Sequence, residues 1–293
     1  MKPGLVFPAA VIGAIAVTAV LVPYLGLPDP VAQDVANRLA GSSAGHPLGQ
    51  DEYGRDVLSR LLWGARISLG VALTSAALAC VVGVALGLIG GYFGGAAELL
   101  AVRSMDLILC FPQIVLSLLI VTLLGAGVWT LIPLLSLLYL PGFVRVTHAG
   151  VTALRNLEFV DAVRALGAGP VRIMTRTVVP NIGGPILVQF SLATASAVIF
   201  ESGLSFLGFG VPPPAPSWGV MISDARAVLV QEPQQLLWPC LALSGTILAM
   251  NSLCDALRDA VDPTHLTGRR RGWGRLDVLL PGLTADREAV LSV

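Results

Sequence analysis

The stretch EFVDAVRALGAGPVRIMTRTVVP, Glu158 to Pro180, decides how the rest of the chain is read. Five charged residues, Glu158, Asp161, Arg164, Arg172 and Arg176, break into it, with Gly167, Gly169 and Pro170 among them. The text on either side is nearly all Leu, Val, Ala and Gly. Leu154, Leu157, Val160, Val163 and Leu166 recur at every third position. That row predicts a short amphipathic helix with Glu158, Asp161 and Arg164 on its other faces. Gly167 suits a helix stop, and Pro170 prevents simple continuation. A second short helix is expected over Val171 to Val179, ending at Pro180 where the next apolar segment begins. Periodicity alone leaves two uses open. The helix lies on lipid headgroups, or it docks into a groove of a cytoplasmic partner.

The surroundings are those of a membrane protein. The 293 residues are 55% hydrophobic and 12% charged, with mean hydropathy +0.81. A soluble domain carries about 25% charged residues, and about 20 apolar residues cross a bilayer as a helix. An all-α polytopic fold with six spans is expected, at roughly 5–27, 68–93, 107–126, 128–147, 184–207 and 236–256. The third and fourth are separated by the turn Gly125-Ala126-Gly127. The first is read as an uncleaved span rather than a signal peptide, because no small-x-small site follows it. The second is rich in Gly, Ala and Ser, which lets helices approach closely. The fourth carries Pro133 and Pro141, tolerated where neighbours satisfy freed carbonyls and available as bending points. The expected organisation is a first span at 1–27, an external amphipathic segment at 28–67, and a core at 68–260. The charged loop occupies 150–182 of that core, and a cytoplasmic tail follows at 261–293.

Orientation follows from the cations. Of 18 Lys and Arg residues, 13 fall on the side of the termini and 5 on the other. The positive-inside rule then puts both termini and the 158–180 stretch in the cytoplasm, and 28–67 outside. The run GRRRGWGR, 268–275, reads as an anchor to the inner leaflet. The formal charge is zero and the pI near 6.8, which gives no footprint for nucleic acid.

The chemistry of an energised or catalytic protein is missing. A P-loop needs a lysine to reach the phosphates, and Lys2 is the only lysine. His46, His148 and His265 lie far apart without metal-ligand spacing, and Ser205 and His148 fall at opposite ends of their spans. Cys80, Cys110, Cys240 and Cys254 sit in apolar text without CxxC spacing and read as buried reduced thiols. No catalytic residue, cofactor or metal is therefore assigned to this chain. Asp51, Glu52, Arg55 and Asp56 belong to an external segment that can form an amphipathic helix with Leu58, Leu61, Leu62 and Ile67. It is read either as a solvated cap or as a contact for a protein that delivers cargo. Glu201 lies about 27 Å along the fifth span at 1.5 Å per residue. That places it near the outer interface, where packing or capping is the expected role.

The register of the charged stretch adds to this. Asp161-Ala162-Val163 is followed by three residues, Gly167, nine residues, then Thr177-Val178-Val179-Pro180. The pattern resembles the EAA loop of bacterial ABC importer permeases: Glu-Ala-Ala, three residues, Gly, nine residues, Ile-x-Leu-Pro. It departs in Asp161 for Glu, Val163 for Ala, Thr177 for Ile and Val179 for Leu. HPLGQDEYGRDVLSRLLWGARISL (His46–Leu69), RSMDLILCFPQIVLSLLIV (Arg103–Val121) and ESGLSFLGFGVPPPAPSWGVMISDAR (Glu201–Arg226) resemble the C-type permeases of dipeptide, oligopeptide and nickel importers, in order, over residues 45 to 263.

The resemblance implies the type I importer permease fold in the bacterial cytoplasmic membrane. It implies a homologous but distinct second permease, two ABC ATPase domains that hold the ATP and Mg, and an external peptide-binding protein. Glu158, Asp161, Ala162, Arg164, Ala165, Leu166, Gly167, Ala168 and Pro180 would carry the contact with the ATPase. Cargo would be di- or oligopeptides, with nickel or another small chelate as the alternative. A membrane scaffold or enzyme without ATP coupling is the reading from another class.

Overall fold

The computed structural model describes the backbone of residues 3–261 and the side chains of residues 8–259. The run 268–275 and the tail lie outside the described residues. Those described form helices and no strand of a sheet. In chain order they are α1 (Pro3–Leu21), α2 (Val57–Phe93), α3 (Gly95–Glu98), α4 (Ser104–Leu109), α5 (Gln113–Leu124), α6 (Val128–Leu154), α7 (Glu158–Ala165), α8 (Pro170–Ile173), α9 (Val179–Phe206), α10 (Trp218–Ala227) and α11 (Gln234–Val261).

Four helical stretches are long and apolar enough to cross a membrane: Val57–Phe93, Val128–Leu154, Pro170–Phe206 and Gln234–Asp259. A fifth would be the pair Gly95–Leu109 and Gln113–Leu124, which is bent by 89°. The expected straight span at 107–126 is thus broken at Cys110–Pro112. Pro112 has no N–H for a helical bond, and the residue before a proline is driven out of helical geometry. The first apolar stretch, Pro8–Tyr24, is shorter than the others, so length and composition alone give four crossings among the described residues, or five with the bent pair as one. The second span starts at Val57 rather than residue 68. Gly125 and Gly127 form the expected turn, and α6 runs unbroken through Pro133 and Pro141.

The small-residue face of α2 positions everything else. Gly83, Gly87 and Gly91 stand at four-residue spacing against Phe143, Thr147 and Val151 of α6. Both series rise together, so the two helices run side by side in the same direction. A Cβ on Gly83 would lie 2.5 Å from that of Phe143, and one on Gly87 2.6 Å from that of Thr147. Nothing but hydrogen fits there, which is how small-xxx-small faces bring membrane helices together. Above them Ala72, Ala76 and Ala79 are buried on the same face. Helix α9 runs the other way along α6: Gly142 faces Gln189 and Gly150 faces Ile182. By contrast α5 buries only Ser117 and Val121. Its Leu119, Leu123 and Leu124 stand exposed, 55–73%, for lipid or another subunit to cover. All four cysteines are free, but only Cys254 is buried and Cys110 is exposed at the α4–α5 break, so the expected burial of the thiols holds for one.

Candidate functional site

The charged stretch folds as α7, a turn, and the start of a long helix. Glu158 and Asp161 lie in the first turn of α7 and Arg164 in its last, the order the helix dipole favours. Arg164 also donates to Asp161 at 2.7 Å. Both side chains are more than half exposed, so this pair contributes ~0–1 kcal/mol. Gly167 has φ +81°. Its N–H donates to the Arg164 carbonyl and the Ala168 N–H to the Val163 carbonyl. These are the two bonds of a Schellman stop, which places a left-handed residue after the last turn.

The apolar row does not bury as a row. Val160 is fully buried, Leu154 and Val163 are half-buried, and Leu157 and Leu166 are 44% and 88% exposed. Only Val160 and Val163 lie within α7: Leu154 ends α6, Leu157 is the extended residue before α7 and Leu166 the one after it, so the row spans three elements and not one helix face. The expected break before the fifth span is also absent. Pro170 starts a helix that passes through a π turn at Met174–Val178 into α9. Pro180 lies just after that turn. A proline removes one helical bond and crowds the carbonyl four residues back, and the wider π turn is where the chain absorbs this.

One core ties these parts together. Val160 of α7 packs with Leu88 of α2, Val151 of α6, and Ile173, Met174, Val178 and Ile182 of the helix that follows. Val163 and Ala168 pack on its edge. Each buried aliphatic side chain stabilises the arrangement by ~1.5–3 kcal/mol in aqueous terms, so α7 is anchored through Val160 in a core to which three long helices contribute. Arg155 closes the base by donating to the Gly91 carbonyl at 2.8 Å. The outward side is uncovered among the described residues. Glu158, Asp161, Ala162, Arg164, Ala165, Leu166, Gly167 and Pro180 are exposed, and Ala168 is half-buried. Phe159, Leu166 and Val171 add exposed apolar area of 41%, 88% and 69% beside them. An open pocket lined by Gly169, Pro170, Val171, Arg172 and Arg176 adjoins them.

At the other end of α2 the sequence DEYGRD, 51–56, forms a knot rather than the start of an amphipathic helix. Asp51 Oδ1 accepts the N–H groups of Tyr53 and Arg55, each at 2.9 Å. Gly54 turns at φ +74°, and a Cβ there would run into the Asp34 carbonyl. Asp56 then caps α2 by accepting the Ser59 N–H at 2.7 Å, and His46 Nδ1 lies 2.9 Å from its other oxygen. Arg55 donates to Asp51 at 2.6 Å and to Asp224 of α10 at 3.1 Å. Arg60 stands 3.4 Å from Asp51 and 3.5 Å from Asp224. It also reaches the Pro30 and Pro214 carbonyls, both at 3.3 Å. Asp51, Arg55, Asp56 and Arg60 are all buried. Of the four residues read either as a solvated cap or as a contact for an external protein, only Glu52 keeps partial exposure. Burial, with Asp224 and Asp51 nearby, pushes its carboxyl above the usual carboxylate range.

The knot is a cap built from two aspartates and two arginines that neutralise one another, not a solvated face. Asp56→Ala should cost about 1 kcal/mol by loss of the helix cap. Thermal melts of the purified protein check this, and Asp56→Asn should recover most of the loss.

Glu201 sits at the same end, fully buried in α9. It accepts Ser205 Oγ at 2.7 Å, and Ser202 Oγ lies at 3.4 Å. Ser205 Oγ in turn accepts the Val211 N–H at 3.1 Å. The carboxylate therefore fastens the loop after α9 back onto its helix, which is the expected packing role. Sequence reading missed Asp224 and the Ser205 link. Asp224 lies 169 positions from Arg55, and no local pattern pairs residues at that distance.

Residues 83–265 match the family described as binding-protein-dependent transport system inner membrane component. The dipeptide transport system permease protein DppC of Alkalihalophilus pseudofirmus is 36% identical over 259 residues, covering 87% of this chain and 85% of that protein. The di/tripeptide transport system permease protein DppC of Pseudomonas aeruginosa is 40% identical over 225 residues, 77% and 74% of the two chains. The glutathione transport system permease protein GsiD of Pectobacterium atrosepticum is 37% identical over 223 residues, 76% and 74%. Among solved structures, a chain of the inward-facing MetNI methionine ABC transporter superposes with TM-score 0.56 at 17% identity, covering 69% of this chain and 96% of that one. That likeness shows the ABC importer permease fold. A multi-pass helical chain that shares this fold and aligns over most of its length with such permeases belongs to the family of binding-protein-dependent transport system inner membrane components.

Proposed function

We propose that the chain is the permease subunit through which a bacterial ABC importer moves di- or oligopeptides, and that α7 is its coupling helix. The observation that carries this is the seat of α7. Its outward face is bare, while its inner face is packed into a core shared by α2, α6 and the helix leading into α9. A push on α7 reaches three long helices without passing through a loop. ATP and Mg would be held by two ABC ATPase domains, whose closure supplies the push. A homologous second permease would cover α5 and complete the path, and an external binding protein would deliver cargo at the capped end. Rigid-body motion of the two permeases then exchanges access between the sides. Relatives named for dipeptide, tripeptide and glutathione transport support a short peptide as cargo.

Two measurements test this. Uptake of labelled dipeptide, glutathione and nickel in a strain lacking the gene should show loss of peptide uptake, restored by the intact chain. Purification of the tagged chain should bring down an ATPase, and a preparation with none would leave a scaffold without ATP coupling as the better reading. Orientation is tested separately. Gln50 and Ser217 are buried, so Gly45 and Gln231 are the suitable probes at the capped end, and Leu166 and Gly169 at the other. Cysteines at the first two should react with an impermeant reagent in intact cells, and those at the last two should not. Labelling of Gly169→Cys from outside would invert the topology and remove the coupling reading.

A further inference from the structure

A cavity of about 220 Å³ lies between α1, α2 and α11, beside Trp218. Its polar groups are already used. Thr18 Oγ1 and Thr246 Oγ1 each donate at 2.7 Å to the carbonyl one turn back in their own helix. Trp218 Nε1 donates to a carbonyl of α2 at 3.1 Å. The rest of the wall is aliphatic, including Ala14, Leu62 and Ala65. A buried water needs two to four polar partners, and an apolar cavity of about 150 Å³ stays dry and takes benzene. The space is thus suited to an apolar guest, and it lies between two helices of membrane-crossing length, α2 and α11, and the shorter apolar α1.

A cation follows the wall residues in the chain. Arg66 follows Ala65 and lies one turn on from Leu62, so it neighbours the cavity wall. Helical side chains lean toward the N-terminus, which for α2 is the capped end. Its guanidinium accordingly lies over the Trp63 ring at 5.5 Å. Arg66 is exposed and makes no ion pair among the described residues. Trp near the end of a span sits at headgroup level, and Arg serves there as an interfacial anchor. We propose that the cavity holds an acyl chain of a phospholipid from the leaflet at the capped end, with its phosphate on Arg66. The apolar wall selects the chain, and the unpaired cation selects an anionic group at the chain's upper end.

The test uses the intact transporter, purified with its partner subunits and reconstituted in vesicles of phosphatidylethanolamine and phosphatidylglycerol. A phosphatidylglycerol with a photoreactive group near the end of one acyl chain is added, and cross-linked peptides are mapped. Labelling is expected around Thr18 and Thr246. It should be lost in Ala14→Phe, which fills the cavity from its exposed rim. Equal labelling in that variant and the native chain, or labelling confined to α5, overturns the chain site. Native mass spectrometry after detergent extraction should show a bound phospholipid, retained several-fold less by Arg66→Gln. Undiminished retention in Arg66→Gln overturns the headgroup site, and retention of detergent in place of phospholipid overturns the ligand class. Arg66 is exposed, so its variant reports even where Ala14→Phe fails to assemble.

Discussion

Gly167→Val should abolish peptide uptake in a protein that is made, inserted and about as stable as the native chain. Space is not the issue, since a Cβ at Gly167 would meet nothing within 4 Å. Conformation is. At φ +81° a β-carbon costs about 1–2 kcal/mol, and a β-branched residue is worse placed than alanine. The chain escapes this by giving up the bonds to the Arg164 and Val163 carbonyls, so α7 no longer stops where it does. Its outward face then points elsewhere, while Gly83, Gly87 and Gly91 still hold the long helices together. In reconstituted vesicles, ATP hydrolysis should continue without uptake, or the ATPase should fall away on purification. Gly167→Asn should keep much of the activity, because Asn tolerates the left-handed region. Gly169, at φ −71° with open space around it, should accept Ala without effect. Normal uptake by Gly167→Val, with the ATPase still bound, would make α7 an interfacial helix only.

Gly87→Leu should fail for the opposite reason. Here the backbone is ordinary helix and the space is gone. The first added carbon would stand 2.6 Å from Thr147 Cβ and 2.8 Å from the Val144 carbonyl. The obstruction is partly backbone, so α2 and α6 must separate rather than repack. Overpacking costs about 1–3 kcal/mol where side chains can yield, and this site belongs at or beyond the upper end. The folded fraction after detergent extraction should collapse, and uptake with it. Gly70, in the same helix, has nothing within 4 Å. Gly70→Leu should express normally, since leucine is the better helix former, and a similar collapse there would mean that α2 tolerates no added bulk anywhere, so that contact with α6 is not what is measured.

Those two glycines also mark what could be read without coordinates. Gly167 was legible because a stop, a register and a following proline agree within a few residues. The small-residue face of α2 was legible as texture, although its partner was not. What escaped were features that need two distant segments. Val57 to Ile67 holds Arg60 and Arg66, which lowers its hydropathy, so the span was expected to start at residue 68. Arg60 is in fact buried on Asp51 and Asp224. The same pairing buries residues that the sequence left open between a solvated cap and a contact for a binding protein. The three-residue row through Leu166 misled because it crosses the turn between α6 and α7 and ends beyond α7, so its members do not share one helix. Pro112 was visible, but its effect, a fold of 89°, depends on α4 and α5 each packing separately on α6.

Helix α2 has one further consequence. At 37 residues it is a push-rod about 55 Å long at 1.5 Å per residue. One tip is clamped in the ion-pair knot and the other sits under α7. It contains no proline to act as a joint. A rod of this kind does not bend to absorb a load at one tip; it tilts, and the far tip swings in the opposite sense. Seating of an ATPase under α7 would therefore be felt at the capped end as a change of posture. By reciprocity, whatever settles on the cap would alter how tightly the ATPase is gripped.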